Sequence, residues 1–208
     1  MPETKINHIE YIVFDLFGVL FSEGHLVSNV LMDLLPHGSD KGQVKSAYDK
    51  YNLGLIKEAE FWPSIGVSQP TQLRDEFLGH FTLDPEYHDV IGELSPRFRL
   101  GILSNLPADW AQAFISSFDF DSRFSPCLFS GQAGCKKPRR EIYWLFQQQA
   151  GTPFEQMVFI DDRLENLQSA YEQGMTTVYY QRDNENHAYR ADFTIQRLGQ
   201  LVNILTDL

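Results

Sequence analysis

The sequence predicts an α/β fold, a Rossmann-like parallel sheet with helices on both faces, plus a small all-helical cap inserted after the first strand. Three observations predict it. Tyr11-Ile12-Val13-Phe14 is an apolar run without alternation, as in a strand buried on both faces. Short apolar runs alternate with helical stretches after Pro96, which is the pattern of a parallel sheet with crossover helices. Between residues 23 and 81 strand signals are missing and helical ones follow one another.

Taken in order, residues 9–15 form the first strand, and Gly18 and Gly24 bracket an irregular stretch. Helices are expected over 26–35, 43–51 and 54–62. Pro36-His37-Gly38-Ser39 ends the first, and Pro63 with Gly66 breaks the third. Thr71 is the expected N-cap of a helix over 72–81, and Asp84-Pro85 opens another that runs to about Leu94. Strands follow at 99–104, 127–130, 157–161 and 176–180, with a short edge strand at 192–195. Helices fill 108–118, 138–150, 164–173 and 196–205, with Gly151 and Gly174 as C-terminal stops. The polar run from Arg182 to His187 reads as mobile.

A chain of 208 residues accommodates one α/β domain with an insertion. Its net charge of −11 argues against nucleic acid as a partner, since that needs a basic patch or stripe. No apolar run reaches the roughly 18 to 20 residues of a membrane span, so no membrane partner is expected. Met1-Pro2-Glu3-Thr4-Lys5 lacks a basic segment leading into an apolar one, so no signal peptide is expected. Cys127 and Cys135 lack metal-type spacing and are expected to stay reduced, in a cytoplasmic protein.

Three strands end in polar residues: Asp15, then Ser104-Asn105, then Asp161-Asp162. In a parallel sheet those ends share one edge, where ligands of open α/β sheets bind. Lys136-Lys137-Pro138 precedes a helix between the last two. Converging carboxylates repel unless a cation joins them, and hard oxygen ligands favour magnesium. A serine hydroxyl, backbone N–H groups and a lysine make a phosphate site. A carboxylate kept ionised by metal and lysine can act as a nucleophile.

These residues, in this order, resemble the motifs of the haloacid dehalogenase superfamily, subfamily I with a helical cap. Asp15 matches that family's nucleophile, Ser104 its phosphate-binding serine, Lys137 its motif lysine, and Asp161-Asp162 its acidic metal motif. With Asn166 following, the last motif is most similar to that of bacterial glucose-1-phosphate phosphatase-like proteins. The resemblance implies a core of residues 1–21 and 90–208 and a cap of 22–89. It implies a magnesium-dependent phosphatase of small phosphorylated metabolites, acting through an aspartyl-phosphate. Asp15 and Lys137 would be catalytic. Ser104, Asn105 and Lys137 would bind phosphate. Asp15, the Phe17 backbone carbonyl, Asp161 and Asp162 would hold Mg²⁺. A monomer or homodimer is expected, the dimer if the aromatic face around Trp62 is exposed.

One position departs from the pattern. Family phosphatases carry a second aspartate two residues after the nucleophile, as general acid and base, and here that residue is Phe17. A missing acid or base typically costs about 10²- to 10⁴-fold in rate. Glu23 and His25 are candidates to replace it. Two alternatives stay open on this residue. One is a catalytically weakened fold that binds a phospholigand. The other is a metal-independent dehalogenase, whose relatives carry an aromatic residue there but lack the paired acids.

Overall fold

The computed structural model describes residues 8–182 and 187–206. Residues 1–5, which carry the expectation of no signal peptide, and 183–186 of the polar run lie outside the described residues.

The chain begins with β1 (Tyr11–Phe14). A π-helical segment, Leu26–Leu31, then continues into α1 (Met32–Leu34). The rest of the insertion is α2 (Lys41–Asn52), α3 (Glu58–Ser64) and α4 (Pro70–Gly79), after which α5 (Tyr87–Leu94) leads back to the sheet. Then come β2 (Arg99–Ser104), α6 (Ala108–Phe118), β3 (Cys127–Phe129), α7 (Ser130–Ala133) and α8 (Arg140–Ala150). The chain closes with β4 (Met157–Asp161), α9 (Leu164–Glu172), β5 (Thr176–Tyr180), β6 (Phe193–Ile195) and α10 (Gln200–Thr206). No helix among the described residues is long and apolar enough to cross a membrane.

The six strands form one parallel sheet in the order β3-β2-β1-β4-β5-β6. The chain direction across the sheet reverses between β1 and β4, which is where such sheets open a crevice. Alternate residues of β1 feed two cores. Ile12 and Phe14 face one side, with α6 and the insertion. Tyr11 and Val13 face the other, with Ile142, Tyr143 and Phe146 of α8 and Leu167 and Ala170 of α9. This is the arrangement expected of a strand buried on both faces.

The insertion shares its core with the sheet domain. Trp110 of α6 is fully buried against Tyr51, Phe61, Trp62 and Phe77 of α2, α3 and α4, at ring separations of 4.6 to 5.9 Å. Its indole Nε1 donates to Glu58 at 2.8 Å. Trp62 is 1% exposed, so the condition set for a cap-mediated dimer is not met there. Two polar contacts add to the join. The Ser130 hydroxyl donates to the Asn52 carbonyl at 2.7 Å, and Lys136 pairs with Asp49 at 2.7 Å.

Several helix limits differ from the sequence expectation. Gln69 is the N-cap of α4 in place of Thr71, because Pro70 takes the first helical position, where its missing N–H costs nothing. Pro63 lies within the last turn of α3 instead of ending it, and α3 starts only at Glu58, after Gly54 has turned the chain at φ +68°. The α8 helix starts at Arg140, not residue 138, because Asn105 holds the Lys137 backbone on both its N–H and its carbonyl. The last helix starts at Gln200, whose side chain folds back to accept the N–H groups of Gln196 and Arg197.

Truncating Trp110 to Ala is expected to cost about 3–5 kcal/mol, as large aromatic deletions in cores do. Urea denaturation measures it. A loss below about 1 kcal/mol would contradict a core shared between insertion and sheet domain.

Candidate active site

Strand register sets the site. Phe14 pairs with Ile160 on one side and Ile102 on the other. Asp15 is therefore level with Asp161, and the Asp15 N–H continues the ladder to the Ile160 carbonyl at 2.9 Å. Ser104, the last residue of β2, lies one step further along and is 1% exposed. The expected strand ends thus meet at one edge.

Lys137 is the centre of the cluster. Its ammonium lies 2.9 Å from Asp15 Oδ1 and 2.7 Å from Asp161 Oδ2, over the face of Phe159. Burial alone would lower the pKa of this lysine, but Asp15 and Asp161 outweigh that and the net shift is upward. Lys136, its neighbour, points to Asp49 on α2 instead. The segment carrying Lys137 is fixed by Asn105, whose Oδ1 accepts the Lys137 N–H at 2.9 Å and whose Nδ2 donates to the Lys137 carbonyl at 3.0 Å. The Asn105 side chain is therefore engaged by the lysine's backbone.

Asp161 is fully buried and held on both oxygens. Oδ1 accepts from the Arg163 N–H at 2.7 Å, and Asn166 Nδ2 reaches both oxygens at 3.0 and 3.1 Å. Asp162 lies against the backbone of the loop after β1. A Cβ added to Gly18 would sit 2.4 Å from Asp162 Oδ2, and one added to Gly24 2.8 Å from it. Gly18 also has φ +76°, so both space and backbone conformation require glycine there.

Asp15, Asp161 and Asp162 each offer an oxygen, and these atoms lie within 4.8 Å of one another. Burial, then the neighbouring carboxylates, raise Asp162 to about 8. Burial raises Asp161 to about 7; Lys137 offsets only part of this, and Asp15 adds to it. Three carboxylates against one ammonium leave two negative charges when all are ionised. A hard-oxygen donor set carrying that excess fits a divalent cation, and the cluster can hold one.

Phe17 is turned away from this chemistry. Its ring is buried among Phe81, Phe21 and Phe114, at 5.0, 5.4 and 5.6 Å. Glu23, a candidate replacement acid, accepts the His25 N–H at 2.6 Å and the Asn29 side-chain amide at 3.3 Å on one carboxylate oxygen, just before the Leu26–Leu31 helical segment. The sequence reading missed Arg182, Asp84 and Tyr180, which meet beside Gly18. Residues 98 and 164 positions apart carry no common periodicity, so no local signal marked them.

A family model for haloacid dehalogenase-like hydrolases matches residues 9–174, and the chain belongs to that family. Sesquiterpene phosphatase astK of Aspergillus oryzae is 24% identical over 177 residues, covering 80% of this chain and 87% of that protein. Drimenol cyclase drtB of Aspergillus calidoustus is 29% identical over 150 residues, or 66% of this chain. The match spans only 28% of that larger protein. Among solved structures, L-2-haloacid dehalogenase from Xanthobacter autotrophicus superposes with a TM-score of 0.71 at 18% identity, covering 96% of this chain and 99% of that one. A family enzyme from Bacteroides thetaiotaomicron, in complex with magnesium and inorganic phosphate, gives a TM-score of 0.71 at 22% identity, covering 88% of this chain and 100% of that one. At such identities the likeness is one of fold.

Asp161 and Asp162 have folded-state pKa values raised above the ordinary aspartate value. The folded protein therefore holds protons that the unfolded chain releases. Their stabilising contribution is fully present below about pH 4 and is lost as pH rises through about 7 to 8. Metal-free protein is expected to melt at falling temperature from about pH 6 to about pH 9, with magnesium narrowing the loss by binding the ionised acids. Scanning calorimetry checks it. A flat profile that magnesium does not alter would contradict the charge balance described.

Proposed function

We propose that this haloacid dehalogenase-like hydrolase is a magnesium-dependent phosphatase of small phosphorylated metabolites, working through an aspartyl-phosphate on Asp15. The observation that carries the reading is one lysine shared between Asp15 and Asp161 with Asp162 alongside, at the open edge of the sheet. Its ligands would be Asp15, the Phe17 backbone carbonyl, Asp162 and Asp161, the last being the least free to turn because both its oxygens already accept hydrogen bonds. When bound, magnesium supplies Lewis-acid polarisation of phosphoryl oxygens and neutralises charge that builds up on them.

The protein's own groups divide the remaining work. Leu16 N–H and Lys137 hold Asp15 Oδ1 at 2.7 and 2.9 Å, which aims the other oxygen for in-line attack on phosphorus. Lys137 carries positive charge next to the transferring group, and the Ser104 hydroxyl with the Asn105 backbone N–H would bind its oxygens. Asn105 supports this less through its amide than by fixing Lys137. Water then hydrolyses the acyl phosphate. Phe17 lies in an apolar cluster, and one Glu23 oxygen is engaged by the His25 N–H and the Asn29 amide. The leaving-group proton therefore falls to Glu23 or His25 only if either turns toward the substrate. A slow enzyme, or one limited to good leaving groups, fits that arrangement.

The division into core 1–21 and 90–208 and cap 22–89 belongs to the same proposal. Phe21 bridges to Leu83, so the two chain segments joining the insertion run side by side there. A cytoplasmic location is supported by the two free thiols, Cys127 and Cys135. The finer likeness to glucose-1-phosphate phosphatases and the similarity to a sesquiterpene phosphatase suggest two substrate classes, sugar phosphates and prenyl-type monophosphates. The dehalogenase alternative draws on Phe17, but Asp161 and Asp162 stand with Asp15 as a donor set that can hold a cation, which a metal-independent reaction would not use.

The test is phosphate release from sugar phosphates, prenyl monophosphates, nucleotides and an aryl phosphate, with magnesium or with chelator. Release is expected to need magnesium and to disappear in Asp15→Asn. Release of halide from a haloacid in chelator would contradict the reading. Phe17→Asp is expected to lower the melting temperature by burying a carboxylate among phenylalanines, with no gain in turnover. A variant with faster turnover would favour the weakened-enzyme alternative.

A further inference from the structure

Arg182 follows β5 and reaches back to the loop after β1. Its Nε donates to the Gly18 carbonyl at 3.1 Å, and its Nη2 donates to Asp84 Oδ2 at 2.7 Å. The guanidinium carbon lies over the Tyr180 ring, 3.8 Å from its centroid. The Tyr180 hydroxyl donates to the same Asp84 oxygen at 2.9 Å. Asp84 stands where the chain returns from the insertion. Its N–H donates to the Leu20 carbonyl at 2.8 Å, and its Oδ1 accepts the Glu86 N–H at 3.0 Å. The Asp84 side chain is 3% exposed, so the ion pair is sheltered on that side from solvent and salt.

The other end of this network is the candidate metal site. Gly18 is the residue against which Asp162 packs, and it directly follows Phe17, whose carbonyl is one of the proposed ligands. One planar guanidinium thus binds the Gly18 carbonyl and Asp84 at once while lying over the Tyr180 ring. A lysine lacks the rigid planar fork that presents donors to both acceptors in this geometry.

We infer that Arg182 is a positioning residue for the metal site: it holds the Phe17–Gly18 segment against Asp162 and ties that segment to the return chain at Asp84. The inference rests on the reading that Asp15, Asp162 and the Phe17 carbonyl hold magnesium. Arg182 acts through the backbone it restrains, as outer groups of metal sites do. Removing such groups typically weakens metal binding about 10- to 100-fold.

The sign of the effect separates positioning from simple charge. Removing a positive charge near a cation site should strengthen cation binding on Coulomb grounds. Positioning demands the opposite. The experiment measures Mg²⁺ affinity by isothermal titration calorimetry for the unaltered protein, Arg182→Gln and Arg182→Lys, with circular dichroism to establish that each is folded. Both variants are expected to bind magnesium at least about 10-fold more weakly, although Lys keeps the charge and Gln removes it. Unchanged affinity in Arg182→Lys, or tighter binding in Arg182→Gln, would overturn the inference and leave the phosphatase reading standing. Should Arg182→Gln not fold, Arg182→Lys decides. If the unaltered protein binds no magnesium, both readings fall.

Discussion

The Lys137 ammonium, buried between Asp15 and Asp161, is the interaction on which the site depends. A buried carboxylate without a partner is costly, and breaking a buried pair typically costs about 3–5 kcal/mol. Here the pairing joins β1, β4 and the segment before α8. The approach of those elements is prepared beforehand. The β1–β4 register brings the two acids level, and the Asn105 amide turns the Lys137 backbone toward them. The lysine still balances only one of three negative charges. That shortfall is why the cluster suits a divalent cation, while burial, with the neighbouring carboxylates adding to it, raises the pKa values of Asp161 and Asp162.

The second constraint is aromatic. Phe17 stands two residues from Asp15, yet its ring belongs to the cluster of Phe21, Phe81 and Phe114 that joins the insertion to α6. Trp110 extends the same apolar contact into α2, α3 and α4. The loop that follows Asp15, the proposed nucleophile, is therefore clamped by apolar packing on one side and by Arg182 and Asp84 on the other. Geometry near the acids is fixed by groups that do no chemistry themselves.

Strands and site acids were legible in the sequence for one reason. A strand buried on both faces must be apolar throughout, so a polar residue at its end stands out. Asp15, Ser104 and Asp161 all fall at such ends. Helix limits were less legible where a distant side chain decides them, as Asn105 does for α8. The limits of α3 and α4 depended on Pro63 and Pro70, whose effect changes with their position in the helix. Phe17 was visible as a departure, but its apolar surroundings come from residues as far away as Phe114. Arg182, Asp84 and Tyr180 gave no signal, since only the fold brings them beside Gly18.

The central claim is that Asp15 attacks phosphorus and water then releases the phosphate. The most direct measurement is the stereochemical course at phosphorus, using a phosphate monoester made chiral with oxygen isotopes. Two successive in-line displacements invert the centre twice, so the account expects retention of configuration. Inversion would mean that water attacks in a single step, and would contradict a covalent role for Asp15.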